Sequence, residues 1–299
     1  MRILKHPNVD FIGLRKKSAI LSAVLILSGL VSVGIHKGFK TSIDFAGGTL
    51  VEIGFANEVP LQEVRDAIDA AGFAGAEVTH FGSNTDILIK VKAIGDASEA
   101  SREIERVLHE AWPGVDMRRV ESVGPKIGSE LKTAAFWAII YSLFGIVVYI
   151  GWRFQFRFAI AAIIALIHDV LFTLGFFSVS GLELSIPVIA GILTVVGYSL
   201  NDTIVVFDRI RENLRTRKRE GYSIVVNSSI NETLSRTIIT SFTTLVVVLS
   251  LVIIGGPVIR DFALTLLVGV IIGTYSSIFI ASPVLVAWED WRVKRGWRR

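Results

Sequence analysis

Six runs of the chain are apolar over lengths that suit a bilayer, which takes roughly 20 helical residues to cross about 30 Å of hydrocarbon. They cover residues 18–35, 134–150, 158–179, 186–207, 238–254 and 262–287. Between the first two, the periodicity changes. Residues 49–55 alternate apolar and polar as a strand does, and Pro60 opens an amphipathic helix through Ala71 with Leu61, Val64, Ala67 and Ile68 on one face. Residues 77–81 and 86–91 read as short strands around Gly82-Ser83-Asn84-Thr85, a turn composition. Asp96 is placed to cap a helix reaching Trp112, with Ala100, Ile104, Val107, Leu108 and Ala111 inward, and residues 117–123 close as a strand. The order βαββαβ predicts the split βαβ, ferredoxin-like arrangement, a small sheet with helices on one face. The expected fold class is therefore an α-helical polytopic membrane protein with six transmembrane helices and one extracytoplasmic α+β ferredoxin-like domain.

Charge orients this arrangement. Residues 1–17 carry five Lys/Arg, residues 208–237 seven, and the tail after Trp288 five, while Arg153 and Arg157 mark the turn at 152–157. The opposite loops are nearly bare: residues 180–185 hold no Lys or Arg, and 255–261 only Arg260. The positive-inside rule then puts both termini in the cytoplasm. The expected organisation is a cytoplasmic N-terminus (1–17), a first helix (18–36) and an extracytoplasmic domain (37–133). A five-helix remainder (134–287) with a basic cytoplasmic loop (208–237) and a basic tail (288–299) follow. The outer domain is acidic on balance, with 16 Asp/Glu against 11 Lys/Arg over residues 37–132. Arg15-Lys16-Lys17 before the first apolar run imitate a signal peptide, but Val33-Gly34-Ile35-His36-Lys37 offers no small-residue cleavage site, so an uncleaved anchor is expected.

Composition agrees: 52% of residues are hydrophobic, mean hydropathy is +0.58, and the absence of cysteine excludes disulfides and thiolate metal sites. The basic pI of about 9.4 is a topology signal, and no nucleic acid partner is expected. The outer domain shows no nucleophile–base pair, metal cluster or phosphate loop; a docking module is expected, with no enzyme activity and no cofactor.

The chemistry lies in the apolar runs. Asp202 is the only charge from Ile186 to Phe207, and a carboxylate near a bilayer centre costs roughly 2.5–3.5 kcal/mol on insertion scales. Helical spacing puts Gly191, Thr194, Tyr198, Asn201, Asp202, Val205 and Asp208 on one side, and Arg236, Thr240, Thr243, Thr244, Val247 and Ser250 on one side of the next helix. Asp202 lies about 9 Å inside the cytoplasmic end, within reach of the long Arg236 side chain. His168-Asp169 is a second candidate protonation site. Each has a structural alternative: Asp202 as a hydrogen-bonding anchor, Asp169 packed against a neighbouring helix, Arg236 snorkelling at the interface. Gly269 and Gly273 form a GxxxG match, continued by Ser276 and Ser277, which points to close helix packing.

These residues carry a resemblance. Asp44-Phe45-Ala46-Gly47-Gly48-Thr49 and Val123-Gly124-Pro125, leading to Gly128 and Leu131, resemble the paired signatures of the SecD/SecF protein-export family. Gly197-Tyr198-Ser199-Leu200-Asn201-Asp202-Thr203, continuing through Val206 to Asn213, is similar to the fourth-helix motif of its SecF branch. The resemblance runs end to end and implies half of a twelve-helix unit of the RND superfamily. It implies SecD, and commonly YajC, as partners, and assistance to the SecYEG channel and SecA motor in moving unfolded preprotein across the bacterial cytoplasmic membrane with the proton motive force. It assigns proton movement to Asp202 and Arg236, with Tyr198, Asn201 and Asp169 as further candidates. Gly124 and Gly128 around Pro125 are expected as a hinge or as an ordinary linker turn. Three rivals stand beside this reading. They are half of a small-molecule exporter of the same superfamily, a clamp that conducts no protons, and an aspartyl protease using Asp169 and Asp202, whose GxGD context is missing.

Overall fold

The computed structural model describes residues 7–92 and 97–296. In chain order its elements are α1 (Arg15–Ile35), α2 (Ile43–Ala46), β1 (Gly48–Gly54), α3 (Leu61–Ala70), β2 (Glu77–Phe81), β3 (Ser83–Lys92), α4 (Ala97–Ala111) and β4 (Asp116–Val123). The remainder is helical: α5 (Pro125–Arg153), α6 (Phe156–Val179), α7 (Ile186–Thr216), α8 (Tyr222–Ile254), α9 (Gly256–Ser276) and, after a π turn at Ser277–Ala281, α10 (Ser282–Lys294). They sort into two compact units, one of residues 40–138 with 183–186, the other holding the rest.

The smaller unit is the split βαβ arrangement. Its sheet runs β2-β3-β1-β4, with every pairing antiparallel. Alternation on β1 turns Val51 and Ile53 inward against Ile87 and Ile89 of β3, and the sheet face is closed by Val64 and Ile68 of α3 and Ile104 and Leu108 of α4. Two details differ from the sequence expectation. The turn expected over Gly82–Thr85 is tighter: Gly82, at φ 84°, reverses the chain alone, and Ser83 already opposes Phe81. The Ser83 hydroxyl accepts from the backbone N–H groups of Thr85 and Asp86, which replaces the missing turn bonds. Ala111, expected inward, is exposed, because α4 ends there and Trp112 packs on the core instead, edge-on to Phe55. The expected cap at Asp96 lies outside the described residues.

The larger unit is a helical bundle. Six helices are long and apolar enough to cross a membrane: α1, α5, α6, α7, α8 and the α9–α10 run from Val258 to Lys294. Half of the most apolar window is buried in α6, α7 and α9–α10, so these form the centre, while α1, α5 and α8 are largely open to their surroundings. An aromatic knot of Phe154, Phe158 and Phe207 fills one end, Phe158 and Phe207 meeting edge-on at 5.2 Å. Glycines set the closest approaches. Gly29 of α1 lies against Gly175 of α6, where a Cβ on Gly29 would sit 2.6 Å from the Gly175 Cα. Gly191, Gly269 and Gly273 do the same between α7 and α9. The GxxxG pair therefore packs on α7 of its own chain; it is not a free face for a partner.

The span expected as a basic loop at 208–237 is largely helix, since α7 continues to Thr216 and α8 starts at Tyr222. A hydropathy window stops at the first charges. A 3.6-residue apolar stripe nevertheless runs on through Ile210 on α7, and through Val225, Val226, Ile230 and Leu234 on α8, all buried. The arginines ride outside it. Glu232 accepts from Arg209, Arg217 (2.7 Å), Asn213 (3.0 Å) and Ser228 (3.1 Å), which ties the two helices at their joined ends.

Candidate functional site

Among the described residues three carboxylates are buried within the membrane-length helices: Glu289 of α10, which is paired with Arg157 and Arg292, and Asp169 and Asp202, whose surroundings differ. Asp169 on α6 is sealed at 0% exposure. Its Oδ2 accepts from the Ser199 hydroxyl of α7 (2.5 Å) and the Ser276 hydroxyl of α9 (2.7 Å), and its Oδ1 lies 2.9 Å from His168 Nδ1. A carboxylate only accepts, so the imidazole proton belongs on Nδ1. His168 Nε2 then meets Ser22 of α1 at 3.1 Å, and Ser22 meets Tyr275 of α9 at 3.0 Å. One acceptor thus holds α6, α7 and α9 together, with α1 joined through the histidine.

Asp202 is one turn further along α7 and 2% exposed. Among the described residues its one hydrogen bond is long: Ser241 of α8 reaches Oδ2 at 3.3 Å, and the same Ser241 hydroxyl lies 2.7 Å from Thr274 of α9. In that second contact either hydroxyl can be the donor. Among the described residues, no basic nitrogen lies within 4.0 Å of Asp202, so the expected contact pair with Arg236 is not formed. The reason is rotational: Thr237 and Ser241 occupy the inward stripe of α8, which puts Arg236 one position off it and exposed.

That rotation corrects the expected lining faces. Thr194 and Asn201 are exposed and Tyr198 is half-buried, while the packed face of α7 is Val188, Gly191, Val195, Ser199, Thr203 and Val206. On α8, Arg236, Thr243, Val247 and Ser250 are exposed. Tyr198 donates to Thr244 at 3.4 Å, and Asp208 pairs with Arg153 at 3.3 Å. Asp202 therefore sits at the edge of the packed face, beside a polar, open flank shared by α7 and α8. The hydroxyls that matter, Ser199, Ser241, Thr274 and Ser276, were visible only as polar letters in apolar runs, since such residues commonly bond their own preceding turn, as Thr243 and Thr244 do.

The paired signatures meet in the smaller unit. Gly47 has φ 75°, and a Cβ there would lie 3.0 Å from the Pro125 Cα. A Cβ on Gly128 would lie 3.0 Å from the Phe45 carbonyl oxygen. Gly48 pairs with Val123, and Gly128 N–H donates to the Gly124 carbonyl (3.0 Å) within the first turn of α5. In the stretch expected as a hinge or a linker turn, Pro125 and Gly128 make close approaches to Gly47 and Phe45, while a Cβ on Gly124 would meet open space.

Asn227 and Asn231, four residues apart on α8, were not singled out by sequence. The Asn227 Oδ1 accepts from Phe11 N–H (2.9 Å) and Ile12 N–H (3.2 Å), and its Nδ2 donates to the Val9 carbonyl (3.0 Å). Asn231 bonds both the N–H (2.9 Å) and the carbonyl (2.9 Å) of Val9. The two amides hold the segment before α1 as a neighbouring strand would. That segment walls a cavity of about 1600 Å³, whose other side includes Glu232, Arg236 and Ile239. Asn227→Ala with Asn231→Ala is expected to release the segment at a cost of roughly 3 kcal/mol, from five bonds of which each is worth ~0.5–1.5 net. Rapid proteolysis before α1 in detergent would show it; wild-type protection would show that Phe11 and Ile12 suffice.

Six spans, a buried carboxylate beside an open flank and one ferredoxin-like domain define a multi-pass membrane protein with an RND-like helical half. The family described as "Protein export membrane protein SecD/SecF, C-terminal" matches residues 103–291. The chain is 47% identical over 294 residues to the protein translocase subunit SecF of Desulfurispirillum indicum, covering 96% of this chain and 93% of that one. It is 42% identical over 287 residues to SecF of Vibrio alginolyticus, covering 95% and 91%. The crystal structure of SecDF, a translocon-associated membrane protein from Thermus thermophilus, superposes with a TM-score of 0.85 at 40% identity over 95% of this chain. The chain spans only 39% of that polypeptide. It belongs to the SecD/SecF family of protein-export membrane proteins. These curated relatives are named as translocase subunits, not as enzymes.

Proposed function

We propose that the chain is a SecF-type subunit that, with SecD, assists Sec-dependent export of preproteins across the bacterial cytoplasmic membrane and couples that work to the proton motive force through Asp202 and Arg236. The contrast between the two carboxylates carries the reading. Asp169 has three short hydrogen bonds and no exposure, whereas Asp202 has one long bond and borders an open flank. A group that must gain and lose a proton needs partners that can let go. Tyr198 and Asn201 line the flank through which the proton arrives, and Asp169 serves as a fixed lock. The SecD chain covers that flank, consistent with the chain's match to two-fifths of SecDF. YajC, the SecYEG channel and SecA follow from the family. Both termini and the α7–α8 turn lie in the cytoplasm, and the ferredoxin-like domain lies outside, where it docks emerging preprotein.

In this scheme a proton from outside neutralises Asp202 and removes its attraction to Arg236, so α7 and α8 shift; release to the cytoplasm restores the charge. One charge crossing 100 mV supplies about 2.3 kcal/mol, enough to bias a two-state element roughly fiftyfold. A SecDF solved in a super-membrane-facing form matches this chain with a TM-score of 0.71 at the same 40% identity, which supports a family with more than one arrangement. Asp202→Asn keeps the shape and loses the titration. It is expected to insert normally and to lose only the gradient-dependent part of preprotein export in inverted vesicles. Unchanged export would leave the carboxylate as an anchor for Ser241 and favour the clamp that conducts no protons.

A further inference from the structure

Residues 183–186, which end the loop between α6 and α7 and begin α7, belong to the same compact unit as the sheet. Backbone and side-chain bonds hold them there. Leu184 N–H donates to the Lys40 carbonyl (2.8 Å) and Ser42 N–H to the Leu184 carbonyl (2.9 Å), forming a parallel bridge between Thr41 and Leu184. Beside it, the Glu183 carboxylate meets Lys90 of β3 at 2.7 Å and Lys40 at 3.3 Å, and its side chain is only 14% exposed. Lys40 also reaches Glu77 of β2 at 3.4 Å. Burial works against the Lys40 ammonium, but the two glutamates raise its pKa above the usual lysine value. The last contact is made by Asp44. Its Oδ2 accepts from Ser42 Oγ (3.1 Å) and from the backbone N–H of Ile186 (3.0 Å), the first residue of α7.

A helix leaves its first N–H groups unpaired, and a carboxylate is favoured there both as acceptor and as a charge facing the helix dipole. Caps usually come from the residue just before the helix. Here an acceptor for the first N–H of the helix comes from 142 positions away, from the first residue of the Asp44–Gly48 signature. The helix it caps is the one that bears Asp202.

We infer that Asp44, backed by the Glu183–Lys90 pair, fastens the start of α7 to the sheet unit, so that α7 and the ferredoxin-like domain move together when Asp202 changes charge. Asp44 and Glu183 are positioning residues for the proton-coupled step, and this inference rests on the function proposed above.

The chain has no cysteine, which makes a clean test possible. Asp44→Ala is expected to insert normally and to lower gradient-dependent preprotein export roughly tenfold, the effect of one charge-assisted hydrogen bond. Asp44→Asn, still a good cap, is expected to retain most of it. In the Asp44→Ala background, Thr41→Cys with Leu184→Cys puts thiols at bridged positions, where the backbone separation suits a disulfide. Oxidation is expected to restore gradient-dependent export, and reduction to abolish it again. A local folding defect or a direct proton role for Asp44 would not be repaired by a covalent fastener. Wild-type export by Asp44→Ala, or an oxidised triple variant as poor as the reduced one, overturns the inference. Asp202→Asn run alongside separates the two claims: if it exports normally the proton coupling fails, whereas a defective Asp202→Asn beside a normal Asp44→Ala removes the fastening alone.

Discussion

Asp169→Ala is expected to destabilise the helical unit by about 3 kcal/mol, read as a lower melting temperature in detergent, while Asp202→Asn melts close to wild type. The first removes the acceptor shared by Ser199, Ser276 and His168, and all three stay in a sealed interior. An unsatisfied buried donor costs roughly 1–3 kcal/mol in water-soluble proteins. Interhelical bonds in membranes are worth less, averaging near 0.6, because the separated helices find other partners. Ser199 and His168 lose this acceptor and Ser276 keeps only the Gly273 carbonyl at 3.1 Å, which together give the expected sum. Asp169→Asn keeps an acceptor oxygen and should fall between. Equal melting of Asp169→Ala and wild type would show that the glycine contacts hold α6, α7 and α9 without the carboxylate. A larger loss for Asp202→Asn would exchange the roles of lock and switch.

Gly269→Leu is expected to be as severe. A Cβ on Gly269 would fall 2.0 Å from Val195 Cγ2, and one turn on, a Cβ on Gly273 would fall 2.9 Å from Ser199 Cβ. Overpacking costs about 1–3 kcal/mol where the neighbours can shift. Here a shift drives α7 from α9 and pulls Ser199 and Ser276 apart around Asp169, so both terms add. Export is expected to fail with and without the gradient, unlike Asp202→Asn. Gly269→Ala should be milder, and Val195→Ala should rescue it, because the two positions share one contact. If Val195→Ala adds to the defect, the collision is not its cause.

Much of this architecture was legible in the chain. Six apolar runs announce six spans, and the alternation at 49–55 and the amphipathic stripe at 60–71 announce strand and helix in the order the sheet unit adopts. The extents were less legible. The helices of the α7–α8 turn look like a loop, because Arg209, Arg217 and their neighbours mask an apolar stripe that only burial reveals. Of the candidate residues, Asp202 was readable as a lone charge, but its partner was not. Helical spacing marked Arg236, and the packing chose Ser241. Asn227 and Asn231 gave no signal, since an asparagine on a polar helix surface is ordinary until a segment 216–222 positions away lies against it.

By itself, then, the sequence determined the number of membrane-length helices, the order of strands and helices in the ferredoxin-like domain, and the presence of a carboxylate where hydrocarbon makes it expensive. These follow from transfer free energy and from periodicities of 3.6 and 2, which act over neighbouring residues. The tertiary structure alone decided that Asp169 has three short hydrogen bonds and Asp202 one long one, which helix the GxxxG face meets, and that Asp44 accepts from the first N–H of α7. Each of those depends on which helices cross and at what rotation, a sum of many small packing terms between residues distant in the chain.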